Sequence, residues 1–151
     1  MNNTRLRSQG IIHPDKLTIP ITVIGAGSIG SFATLALAKM GCGNLIVYDP
    51  QDVAPENVGC QLYGPPGLGS SKTRELSSII AELTGYIIDA FYLKWEINNV
   101  NSQVVICAVD SLAEREKIWN ALKDDENVNL FIDGRMGGEL IRLYTVDMTK
   151  P

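Results

Sequence analysis

The sequence predicts an α/β fold: a Rossmann-like parallel (partly mixed) sheet with helices on both faces. Three observations carry that expectation. Short apolar runs alternate with stretches of helical spacing, the pattern of successive βαβ units. The first apolar run leads directly into Gly25-Ala26-Gly27-Ser28-Ile29-Gly30, and the second ends on Asp49.

Taken in order, residues 1–18 are a mixed polar arm without periodicity, and residues 19–151 are expected to form one domain. Residues 19–24, interrupted by Pro20, read as the start of a buried parallel strand. Ala and Leu recur at helical spacing over 28–40, and Gly41 is placed to end that helix. Residues 44–48 form the second strand. The segment 50–71, rich in Pro and Gly, is a loop long enough to be functional. Helical spacing returns over 72–83, with Leu76, Ile79, Ile80 and Leu83 on one face. Residues 86–93 and 104–109 read as further strands. A helix over 111–122 starts at Ser111, with Glu114 three positions on as a capping box. Residues 129–132 and 140–146 supply the last two strands.

Composition narrows the function classes. A chain of 151 residues, 45% apolar and 20% charged, fits one globular domain. Its net charge of −4 argues against a general nucleic-acid-binding surface, which needs clustered Lys and Arg. No apolar run reaches membrane-spanning length, and the first 16 residues are too polar for a signal peptide, so a cytoplasmic setting is expected. Cys42, Cys60 and Cys107 make no C-x-x-C pair, and His13 is the lone histidine. Neither a zinc site nor a disulfide framework is expected. Cys107, inside an apolar run, reads as a small buried hydrophobe.

In parallel sheets, ligands bind beyond the carboxyl ends of the strands, so the residues there are the functional candidates. Gly25 permits a tight turn, Gly27 lets backbone approach a phosphate, and Gly30 allows helix and strand to pack closely. A helix opening at Ser28 and Ile29 would direct free N–H groups at that phosphate. Asp49, about 20 residues further on, could accept hydrogen bonds from ribose hydroxyls. The pattern implies a nucleotide, and it suits NAD as well as ATP.

The stretch that follows resembles the ThiF/MoeB family, the adenylating domain shared with ubiquitin-activating enzymes. The resemblance rests on the GAGSIG loop, Asp49 in VYDPQDV, Asn57 and Gln61 in APENVGCQ, Lys72 in GSSK, and Asp110 in CAVDS. It runs from about Arg5 to the C-terminus. It implies ATP rather than NAD, with Asp49 on the ribose and Asn57, Gln61 and Lys72 on the triphosphate. It further implies that Asp110 binds Mg²⁺ beside the reacting phosphate, with Lys72 and Asp110 as the catalytic pair. The implied activity joins AMP to the C-terminal carboxylate of a small ubiquitin-like protein or peptide, and the implied assembly is a homodimer.

The chain departs from the family pattern at several points. Cys60 stands where the family usually carries Arg beside the glutamine, and Gln51 stands where a second acidic residue is usual, with Asp52 one place late. Ser8 occupies the position of an arginine that reaches the partner's active site, with Arg5 and Arg7 nearby. Many members continue well beyond this length, often with a zinc-binding cysteine pair. The departures leave two alternatives open: a catalytically inactive ATP- or AMP-binding partner subunit, and a small NAD-binding domain. Bland roles also stay open, with Asp49 and Asp110 as caps, Lys72 on a helix surface, and Asn57 and Gln61 as turn residues. Arg135, after the 129–132 strand, could steer an incoming carboxylate or form a structural ion pair.

Overall fold

The computed structural model describes residues 10–97 and 101–150. Six strands form one sheet: β1 (Ile21–Ile24), β2 (Leu45–Tyr48), β3 (Asp89–Phe91), β4 (Val104–Cys107), β5 (Leu130–Gly137) and β6 (Leu140–Asp147). Their order is β3-β2-β1-β4-β5-β6. All neighbours run parallel except β5 and β6, which pair antiparallel. Among the described residues three α-helices cover the sheet, α1 (Ser28–Met40), α2 (Lys72–Thr84) and α3 (Leu112–Leu122).

The central strands are buried on both faces, so their side chains divide between two cores. Ile21, Val23, Leu45 and Val47 pack with Ala38 of α1 and Leu76 and Ile80 of α2. Ile24, Tyr48, Val105 and Cys107 pack with Ile118 and Leu122 of α3. Both faces are therefore covered, as the sequence predicts. Thr22, fully buried, satisfies its hydroxyl on Ser102 at 2.7 Å, which removes the cost of an unpaired polar group.

The helix boundaries follow from their caps. Gly41 ends α1 in the left-handed region at φ 101°, and Gly85 ends α2 at φ 76°. Ser71 and Ser111 cap the starts of α2 and α3, each accepting from a backbone N–H three residues on. Only half of the expected capping box forms at α3. The Glu114 carboxylate goes to Lys94 and Lys117 instead of back to Ser111.

Several boundaries differ from expectation. Residues 14–18 form a short 3₁₀ turn with Leu17 in the core, and β1 begins at Ile21 because Pro20 has no N–H to donate. The third strand is only three residues long at the sheet edge, its predecessor Tyr86 being held in the turn by Thr84 Oγ1. The 50–71 segment contains two 3₁₀ turns and buries Tyr63. β5 extends to Gly137, so Asp133, Gly134 and Arg135 lie within a strand rather than after one. The antiparallel partner β6 supplies the ladder that prolongs it. Among the described residues, no helix is long and apolar enough to cross a membrane.

Candidate functional site

The strand order reverses at β1, which sits between β2 and β4. Beyond its carboxyl end the chain splits open. The Gly25 N–H still reaches the Tyr48 carbonyl, and the Ala108 N–H still reaches the Ile24 carbonyl, both at 2.8 Å. Past those bonds the loops diverge around a cavity of about 770 Å³, the position and size expected for a ligand site in this architecture.

The glycine loop forms one wall, and two of its glycines are sterically obligatory. Gly25 has φ 95°, and a side chain there would meet the Ala108 carbonyl at 2.8 Å. A Cβ on Gly30 would overlap the Gly25 carbonyl oxygen, so this residue lets α1 lie against the end of β1. Gly27 differs: a Cβ there meets nothing within 4 Å, because it borders the cavity. Ser28 and Ile29 also line the cavity. Gly30 does not line it and acts behind the loop.

Asp49 leaves the end of β2 and is buried. Its Oδ2 accepts from the Ala26 N–H at 2.7 Å, and its Oδ1 from the Gln51 N–H at 2.8 Å. The carboxylate is thus fixed against the glycine loop, with acceptor capacity left over. From the other side Tyr63 donates its hydroxyl to the Ala26 carbonyl at 2.6 Å. Burial, then Asp49 and Glu75, hold that phenol well above its ordinary range.

Asn57, Gln61, Lys72 and Asp110 line the same cavity as the glycine loop and Asp49. Asn57 uses its Oδ1 to accept from the Ala54 N–H, closing a 3₁₀ turn. Gln61 has a buried Oε1 with no hydrogen-bond partner among the described residues. Lys72 is 4% exposed, and its ammonium donates to the neutral Gln51 Oε1 at 2.8 Å. Among the described residues it makes no ion pair. Asp110 stands exposed at the rim, just after β4.

Arg135 is not part of this wall. Its guanidinium binds Asp133 Oδ2 through Nε and Nη2, at 2.7 and 2.6 Å, and covers the Tyr144 ring. Asp133 also pairs with Arg115, a buried residue of α3. Of the two readings open from sequence, the ion pair is the one formed. Cys60 is exposed and its thiol donates to the Glu56 carbonyl at 3.5 Å. Cys107 is buried, and that burial pushes its thiol up to about 11. The Ser8, Arg5 and Arg7 comparison lies outside the described residues.

Sequence reasoning gave no site role to Lys94, Trp95, Arg115 or the capping-box residue Glu114, which also line the cavity. The rule of looking just past strand ends pointed at Lys94 and Trp95, directly after the 86–93 run. Lys94 pairs with Glu114 at 2.8 Å, joining the segment after β3 to the first turn of α3. Those two lysine contacts, with Lys94 and Lys117, hold Glu114 below its usual range. Tyr92 lines the wall as well, and its hydrogen bond to Asp52 raises its phenol. Among the described residues no group of three or more His, Cys, Asp or Glu could hold a metal ion.

Known proteins share this fold. The model described as the ThiF family matches residues 16–128. A tRNA threonylcarbamoyladenosine dehydratase of Haemophilus influenzae is 32% identical over 140 residues, 86% of this chain and 53% of that protein. Among solved structures, the E. coli tRNA N6-threonylcarbamoyladenosine dehydratase TcdA in complex with ATP superposes with a TM-score of 0.79 at 22% identity, covering 93% of this chain and 63% of that one. E. coli MccB with AMPCPP and MccA superposes at 0.75 and 16% identity, covering 89% and 44%. The chain spans about half the length of the Haemophilus relative.

Proposed function

The chain belongs to the ThiF family, and from that premise we propose that it is the nucleotide-handling part of an enzyme that adenylates a carboxylate with ATP. Lys72 supports this reading most directly. A buried ammonium hydrogen-bonded to a neutral amide is an uncompensated charge, and a triphosphate in the adjoining cavity would compensate it. The relatives' ATP and AMPCPP complexes fit the same reading.

In this reading the phosphates rest on the loop from Gly25 to Gly27 and on the N–H groups of Ser28 and Ile29, where α1 begins. Asp49 takes the ribose hydroxyls on its remaining lone pairs. Gln61 and Asn57 turn their amide NH₂ groups to the phosphates, with the Asn57 Oδ1 held on the Ala54 N–H and the Gln61 Oε1 buried behind. The cavity's carboxylates, Asp49, Asp52, Glu56, Asp110 and Glu114, exceed its cations, Lys72, Lys94 and Arg115. A triphosphate would enter such a site with a divalent cation. Asp110, at the rim, would be the carboxylate that holds Mg²⁺, and one carboxylate suffices where phosphate oxygens and water complete the shell. When bound, Mg²⁺ would neutralise charge on the phosphates.

An acceptor carboxylate oxygen would then bond to the α-phosphorus. The bond from that phosphorus to its bridging oxygen breaks, and pyrophosphate leaves with the electron pair, giving an acyl-adenylate. Lys72 would lower the charge the carboxylate meets. Two acceptors fit this chemistry. One is the C-terminal carboxylate of a small ubiquitin-like protein or peptide. The other is the carboxylate of a threonylcarbamoyl group on a tRNA nucleoside, favoured by the relative that is 32% identical over 86% of this chain. The expectation that nucleic acid is not a partner is therefore withdrawn; a net charge of −4 bears only on a general binding surface. A homodimer is part of the same proposal.

ATP–pyrophosphate exchange with Mg²⁺ tests the proposal, with threonylcarbamoyl-modified tRNA in one arm and carboxylate-ended peptides in the other. Exchange is expected in one arm and is lost in Asp110→Ala. ATP binding without exchange in either arm would favour a nucleotide-holding partner subunit instead.

A further inference from the structure

Ala26, in the middle of the glycine loop, is fully buried, and side chains hold the peptides on both sides of it. Asp49 accepts from the N–H of the Gly25–Ala26 peptide at 2.7 Å, and Tyr63 donates to the carbonyl of the Ala26–Gly27 peptide at 2.6 Å. Beside glycine a peptide plane turns with little steric resistance, so its orientation has to be fixed by something else. Here neither plane turns without losing a buried hydrogen bond.

The direction in which Tyr63 holds its peptide matters. The carbonyl and N–H of a trans peptide point opposite ways, and among the described residues no peptide is cis. Tyr63 lies behind the loop, 2% exposed and outside the cavity lining, whereas Gly27 borders the cavity. With the Ala26 carbonyl turned back onto Tyr63, the Gly27 N–H is turned forward, and it makes no hydrogen bond among the described residues. The flipped peptide would present a carbonyl oxygen to the cavity, which repels a phosphate. The phenol stays a donor, since burial, then Asp49 and Glu75, keep it protonated far above its ordinary range. The preceding residue adds a second tie: the Leu62 N–H donates to Ser31 Oγ, buried in the first turn of α1, at 3.2 Å. Residues 62 and 63 thus brace the loop from behind while their neighbour Gln61 lines the cavity.

We propose that Tyr63 is a positioning residue for the phosphate grip: its hydroxyl orients the Ala26–Gly27 peptide so that the Gly27 N–H donates to a phosphate of the bound nucleotide. This rests on the nucleotide reading above and goes beyond it to the side chain that sets the loop's working conformation. Tyr63 touches no ligand. It acts through the peptide it holds, so its loss is felt by ligands that carry phosphates and not by the nucleoside alone.

The test measures binding of ATP, inorganic tripolyphosphate and adenosine, with Mg²⁺ throughout, to the unmodified protein and to Tyr63→Phe, which keeps the ring. ATP and tripolyphosphate should each bind about tenfold more weakly to the variant, the loss of one well-aligned hydrogen bond to a charged group, and adenosine should bind unchanged. An equal loss for ATP and adenosine, or no loss for ATP, overturns the assignment. Amide NMR of the unmodified protein supplies a check that does not depend on the variant folding: the Gly27 N–H resonance should shift when tripolyphosphate is added. If tripolyphosphate binds and that resonance does not move, the assignment fails while the nucleotide reading stands. If the unmodified protein binds neither ATP nor tripolyphosphate, the nucleotide reading itself fails and takes this inference with it.

Discussion

The glycine-loop side of the sheet and the β5–β6 hairpin are held together in opposite ways. Around Ala26 every group is committed: its N–H to Asp49, its carbonyl to Tyr63, and the turn beside it closed by Gly25 against Ala108. Along β6 every residue is exposed, with Ile141 at 73% and Leu143 at 67%. The hairpin is nonetheless paired in register along its whole length. Its order comes from the backbone ladder and the tight turn at Gly138, with Arg135 clamped between Asp133 and Tyr144. In the first region single side chains, or their absence, determine the geometry. In the second, side chains are interchangeable and the ladder determines it.

The sharpest way to break this contrast is inside the glycine loop. Gly30→Ala forces a Cβ into the Gly25 carbonyl, and a loss of about 3 kcal/mol or more is expected by urea denaturation. Gly27→Ala has open space and should cost less than about 1 kcal/mol while weakening nucleotide binding. Equal losses at the two positions would mean that the loop is not built as described.

Cys107 lies where β4 meets β5, between the two regions, in register with Asp133. Its folded-state thiol is raised from 9.0 to about 11, so the folded protein keeps a proton that the unfolded chain releases. The stability this gives is complete below pH 9 and is lost as pH rises toward about 11, on the order of 2 kcal/mol. Urea titrations of Cys107→Ala over that range should show a shallower decline than the unmodified protein. An identical decline would mean that the thiol is not so buried.

The smallest effect belongs to the hairpin. Ile141→Lys, on an open strand face, should change stability by no more than about 0.5 kcal/mol by the same method. A larger loss would reveal packing on β6 that the described residues do not show.

This contrast also explains what the sequence could reveal. The buried centre was legible because parallel strands read as apolar runs and helices end on glycine: Gly41 closes α1 as its position suggests. The glycine loop, Asp49, Asn57, Gln61, Lys72 and Asp110 were found from motif order, and they surround one cavity. Of the hairpin, β6 was legible, expected over 140–146 and found at Leu140–Asp147, whereas the length of β5 was not, because it is set by pairing with β6. β5 accordingly ran past its expected end and absorbed Arg135. Trp95 and Lys94 were missed for another reason. Their place directly after the 86–93 run was a local signal, but the partner on α3 that gives Lys94 its role is a long-range contact. The partners of Glu114 were hidden in the same way, since Lys94 is remote in sequence.

The central claim, that this cavity is built for ATP, is tested most directly by thermal denaturation with ATP–Mg²⁺ and with NAD at matched concentrations. The account predicts stabilisation by ATP–Mg²⁺ of about 2.7 kcal/mol at a hundredfold excess over its Kd, lost in Asp49→Ala, with little effect of NAD. Greater stabilisation by NAD than by ATP–Mg²⁺ would contradict it.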